Sequence, residues 1–194
     1  MKSKFILSAL ILSACVFQAC KNTNRTSNDP DSLSTTMVDS AEMAKADSTG
    51  MHNIDTASFI QKAAIGGMME VELGKLAQEK AKNSKVKEFG AMMVKDHTKV
   101  NEELKKLAQS SDVTLATSYP LKLKAQIEEL KILTGDAFDK AYMKLMVEDH
   151  EKTIALFKNA AKSSDVNISK FAAKTLPSLE AHNKTAKGIL ASLK

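Results

Sequence analysis

The chain has 194 residues with a formal charge of +5, two cysteines, four histidines, ten methionines and no tryptophan. That length suffices for one domain with a substantial core. Abundant alanine, leucine, lysine, glutamate and methionine, with only two tyrosines and three prolines, favours helix and argues against an all-β fold. The lysines are scattered and the net charge is modest, which gives no footprint for nucleic acid.

Lys2 and Lys4 precede an apolar run from Phe5 to Phe17. This is the pattern of an export leader, too short for a comfortable membrane span. Cys15 and Cys20 close it, and both fit a bacterial lipoprotein signal in which the cysteine becomes the acylated first residue. Leu12-Ser-Ala-Cys15 matches the small-residue pattern better. Phe17-Gln-Ala-Cys20 leaves a fuller apolar run and leads directly into polar sequence. Cys20 is the favoured lipidation site, so residues 1–20 form the leader. Its removal lowers the formal charge by two and leaves no cysteine for a disulfide, a thiolate nucleophile or a sulfur-rich zinc site. The expected location is the bacterial cell envelope, anchored by lipid at the periplasmic face or the surface of the outer membrane. The lipid makes the membrane the expected partner; a homo-oligomer is left open.

Residues 21–55 are rich in Asn, Thr, Ser and Asp and read as a flexible tether, with His52 a solvated residue within it. The folded domain spans 56–193. Thr56 or Ser58 caps a helix running to about Ala81, and Asn83-Ser84 turns the chain into a second helix ending near Gln109. Residues 110–119 are irregular. Pro120 opens a shorter helix through Ile132, which Gly135 stops. Asp136 caps a long helix to about Lys162, Ser163-Ser164-Asp165 forms a turn, and a last helix runs from Val166 to Leu193. Pro177 should kink or break that helix by clashing with the carbonyl of Ala173. Gly66-Gly67 and Gly74 suit close helix packing, at a cost in helix propensity. The pattern is an all-α four-helix bundle of two antiparallel hairpins joined by a crossover with one short helix.

A heptapeptide occurs twice, as Met93-Val-Lys-Asp-His-Thr-Lys99 and Met146-Val-Glu-Asp-His-Glu-Lys152, offset by 53 residues. On the three-four seams through which helices pack, each helix is apolar or small except at one place. These places are Glu70, His97, His150 and His182. Glu70 and His97 are equally far from the turn at Asn83-Ser84, and His150 and His182 from a turn at residue 166. All four therefore fall in one mid-bundle layer. A buried carboxylate and three imidazoles cost several kcal/mol unless mutually satisfied. A metal held by Glu70, His97, His150 and His182 would satisfy them, and the set suits Zn, Fe, Mn or Cu(II). A metal-free hydrogen-bond network fixing the bundle's register would satisfy them too. Met93 and Met146 lie one turn from His97 and His150, an arrangement that also fits Cu(I), although methionine stripes are usually core filling. Asp96 and Asp149 point about 100° away from the histidine that follows each. They either pair with Lys99 and Lys152 or support the layer from a neighbouring helix.

Gly67-Met-Met-Glu70-Val-Glu-Leu-Gly74, Val86-Lys-Glu-Phe-Gly90, the Asp-His pairs at 97 and 150, Phe138-(x)3-Tyr142, and Leu176-Pro177 with His182 resemble the DUF4142 family over residues 56–192. The resemblance implies an exported bacterial protein with a ferritin-like bundle and no established activity. Ferritin-type di-iron centres use Glu-x-x-His on two helices, but here the third residue before each histidine is Val94, Val147 or Leu179. No nucleophile–base arrangement or phosphate-cradling glycine loop points to an enzyme. The sequence leads to a binding module holding a metal ion or small ligand at the layer, or else to a metal-free structural or stress-related interaction protein of the envelope.

Overall fold

Side-chain oxygens that accept backbone N–H groups open three of the helices. In the computed structural model, which describes residues 54–193, Asp55 Oδ1 accepts from Ser58 N at 3.1 Å and starts α1 (Thr56–Lys80). Asn83 Oδ1 accepts from Lys85 N to start α2 (Ser84–Ser110). Asp165 Oδ1 accepts from Asn167 N and Ile168 N to start α5 (Val166–Ser192). Between them lie α3 (Leu121–Ile132) and α4 (Gly135–Ala160). The leader, both cysteines, His52 and all of the tether except Ile54 and Asp55 fall outside the described residues.

Four local expectations are corrected. The first cap is Asp55, not Thr56 or Ser58. Gly135 does not stop α3; it begins α4 with φ +58°, a left-handed corner that needs no side chain. Asp136 sits in the first turn of α4 and pairs with Lys82 at 3.0 Å instead of capping. Helix α5 runs unbroken through Pro177. Pro177 and Ala173 are both exposed, so water can reach the carbonyl that loses its N–H partner.

The domain is all-α. α1 packs on α2 and α4 on α5, and the two hairpins meet through α1 against α4 and α2 against α5. The crossover runs the length of the bundle. At its start Gln61, early in α1, binds the backbone of Thr114 and Ala116. At its end Lys80, at the close of α1, donates to the carbonyls of Lys131 and Leu133. Helix α4 therefore begins beside the α1–α2 turn. Asp139, which is buried, fastens it there by accepting from Lys82 N at 3.1 Å and Asn83 N at 2.8 Å. The hairpins are thus joined by one long connection, a ferritin-type topology.

Of the three glycines expected at close helix contacts, Gly74 meets a neighbouring backbone and Gly67 only the side-chain amide of Asn101. A Cβ on Gly74 would lie 2.7 Å from the carbonyl oxygen of Gly90, and one on Gly67 would collide with Asn101. A Cβ on Gly66 would meet nothing within 4 Å. The core itself is in two parts. Phe89, Phe138, Tyr142, Met93 and Met146 belong to an apolar cluster toward the α1–α2 turn. Phe59, Phe157, Phe171 and Leu104 belong to a cluster at the opposite end. Between the two lies a polar layer.

Candidate metal centre

Glu70, His97, His150 and His182 meet in that layer, one from each long helix, and none is more than 4% exposed. The three imidazoles are mutually adjacent, with ring centroids 5.3–5.7 Å apart. Each is held from behind through one nitrogen. His97 Nδ1–H donates to Glu70 Oε2 at 2.8 Å. His150 Nδ1–H donates to the Met146 carbonyl, one turn earlier in its own helix, at 2.8 Å. His182 Nε2–H donates to Asp96 Oδ2 at 3.0 Å, with Ser178 Oγ 3.4 Å from the same nitrogen. In the neutral imidazoles these partners fix each tautomer and leave a lone pair on the opposite nitrogen.

Those opposite nitrogens, His97 Nε2, His150 Nε2 and His182 Nδ1, are buried and have no hydrogen-bond partner. One ring nitrogen from each histidine lies within 4.8 Å of the other two. A point between three such atoms is at most about 2.8 Å from each, against about 2.0–2.1 Å for a zinc–imidazole bond. Side-chain adjustments of under about 1 Å therefore close the set on an ion. Imidazoles that each donate their second N–H to a carboxylate or backbone carbonyl are the usual outer support of histidine metal ligands. The residues present fit such a group.

The electrostatics agree with the geometry. Burial opposes charge on both Glu70 and His97, but their attraction outweighs it: the Glu70 pKa is lowered and that of His97 raised. Burial lowers His150 and His182 despite the neighbouring Glu70 and Asp96 carboxylates, so both are neutral near pH 7. Burial, reinforced by the charge of Glu70, pushes Asp149 up to about 7. In its protonated form Asp149 can donate to Glu70, which it reaches from α4.

The four residues expected on the seams are thus brought together. Glu70 stands behind His97, with its Oε1 3.5 Å from His150 Nδ1, while the inward set consists of the three histidines. Asp96 pairs across the bundle with His182 rather than along its own helix with Lys99. Met93 and Met146 are fully buried in the apolar cluster, and it is the backbone of Met146 that contacts the layer. Ser178 was missed, although its spacing of four residues from His182 was a usable signal. The Met146 carbonyl had no signal in the sequence.

A family model described as a domain of unknown function, DUF4142, matches residues 40–189. Among curated proteins, none matches the chain. Two solved structures share the fold. A DUF305 protein from Streptomyces coelicolor is 15% identical with a TM-score of 0.60, covering 69% of this chain and 89% of its own. A DUF305 fragment from Deinococcus radiodurans is 12% identical with a TM-score of 0.63, covering 71% and 95%.

Proposed function

The chain belongs to the DUF4142 family, and from that premise we propose that it is a binding protein holding one transition-metal ion at His97, His150 and His182. Glu70, Asp96 and the Met146 carbonyl orient the three ligands, and Asp149 supports Glu70. The observation that carries this reading is a set of three buried histidines with one ring nitrogen of each within 4.8 Å of the others, each ring anchored through one nitrogen and left with a second that is buried and has no partner. A metal-free register network, the competing account, would leave three lone pairs facing one another with one proton at most to share. With that proton on His97, as its raised pKa favours, one of the other two ring nitrogens would still lack a donor, and an unpaired buried polar atom costs about 1–3 kcal/mol.

The N-terminal pattern supports export and anchoring through Cys20, with the tether carrying the bundle away from the membrane surface. No geometry in the layer favours covalent catalysis, and the role is taken to be binding. The test is metal analysis of the chain purified without a histidine tag, repeated with His97→Ala and His150→Ala. The expected result is about one ion per chain in the wild type and a large loss in both variants. Failure of the wild type to take up any first-row ion overturns the reading.

A further inference from the structure

Two cavities share a wall at Gly66. The inner one has a volume of about 20 Å³ and touches the layer at Glu70 and His97, with Asn101, Thr153 and Thr175 around it. That is room for one water-sized molecule. The outer one is an open groove of about 350 Å³ between α1 and α4, beneath the start of the crossover helix, walled by Ile65, Met69, Leu123 and Leu156. Lys62, Gly66 and Thr153 line both. The groove also reaches Asp149, whose carboxyl contacts Glu70. A mid-helix glycine costs about 0.5–1 kcal/mol relative to alanine. No helix contact at Gly66 accounts for that cost, because a Cβ there would point into open space.

We infer that this groove is the entry route to the metal centre: ions and small ligands pass beneath the crossover helix, between Gly66 and Thr153, to the His97 side of the layer. The inference rests on the metal-binding reading above. Lys62 and Lys152 are exposed on the groove's lining. Their charges slow an approaching cation and favour small anions as ligands once an ion is seated. The competing way in is the α2–α5 face, where the Asp96 side chain is 35% exposed beside His182.

The route is tested with Co(II), whose absorption reports binding, mixed by stopped flow with the full chain and with Gly66→Leu. Release is followed into excess chelator. Gly188→Leu is the control, because Gly188 is exposed on α5 and a Cβ there also meets nothing. Circular dichroism checks that each variant is folded. Gly66→Leu should slow uptake and release together by about tenfold or more and leave Kd unchanged, because an obstructed route raises the barrier equally in both directions. Gly188→Leu should change neither rate. Lys62→Glu should speed uptake by about threefold. Unchanged rates in Gly66→Leu overturn the route and leave the metal reading standing. A changed Kd with only one rate altered marks distortion of the centre and also overturns the route. No Co(II) uptake by the wild type overturns both readings.

Discussion

Glu70→Gln separates a residue that holds the metal from one that holds a ligand. The substitution keeps the side chain's shape and removes its charge. Glu70 Oε2 is 2.8 Å from His97 Nδ1, whereas Oε1 is 3.5 Å from His150 Nδ1, whose proton already goes to the Met146 carbonyl. One charge-assisted hydrogen bond is therefore weakened, and such bonds contribute about 1.5–3 kcal/mol. Affinity for Zn(II) or Co(II) should fall about 10–100-fold, the range found when a group orienting a ligating histidine is changed. Competition titration against a chelator measures the loss, and the Co(II) absorption spectrum reports the donor set. If Glu70 orients His97, the spectrum keeps its band positions and intensity while affinity drops. A loss beyond about 10⁴-fold with a changed spectrum would make Glu70 a direct ligand. No loss at all would show that the 2.8 Å contact does not tune His97.

Asp139→Ala strands the N–H groups of Lys82 and Asn83 and should cost about 1–3 kcal/mol in urea unfolding; a value near zero would mean water replaces the carboxylate. Gly74→Ala places a methyl 2.7 Å from the Gly90 carbonyl oxygen and should destabilise by about 1–3 kcal/mol, whereas Gly66→Ala should be neutral or stabilising. In the metal-free protein, Asp149 has a folded pKa of about 7 against an ordinary 3.8. The folded state thus binds its proton more tightly, and this group's contribution falls as pH rises from about 4 to 7. Asp149→Asn should therefore raise stability at pH 8 by about 1–3 kcal/mol and little at pH 4; equal effects at both pH values would contradict this. Because Glu70 outweighs burial and holds His97 above its ordinary value, metal affinity should weaken as pH falls through that range, before His150 and His182 begin to protonate.

The helices and the height of the layer were legible because each rests on a local rule. Polar residues at the turns, three-four apolar spacing and equal distances from a turn place Glu70 beside His97 and His150 beside His182 without tertiary information. What could not be read depends on which helices become neighbours. Asp96 could be assigned to Lys99 or to another helix, and only the contact of α2 with α5 brings it to His182. Asp139 fell beside the seam residue Phe138, and its partners lie 57 and 56 positions away in another turn. Gly135 carries a punctuation signal that fits the end of one helix or the start of the next, and its positive φ decides for the start. Backbone groups have no identity in sequence, so the Met146 carbonyl was invisible while its side chain drew attention as a sulfur donor.

The charges of the layer also constrain the ion. With an ion seated, all three imidazoles would be neutral donors, and two carboxylates, Glu70 and Asp96, stand directly behind two of them. A divalent cation balances those carboxylates, whereas Cu(I) leaves one negative charge in excess. Glu70 is buried but the Asp96 side chain is 35% exposed, so water screens part of that excess and the balance disfavours Cu(I) only modestly. Asp149 adds no charge when protonated, as burial favours. Methionine sulfur is the usual reason to expect Cu(I), yet Met93 and Met146 are packed among Phe89, Tyr142 and Met143 in the apolar cluster. Imidazole donors suit Zn(II), or Cu(II) by the general order of affinities. Competition of Zn(II) against Cu(I) under reducing conditions decides the point: a centre that prefers Cu(I) would show that the thioethers turn inward and that charge balance does not govern the layer.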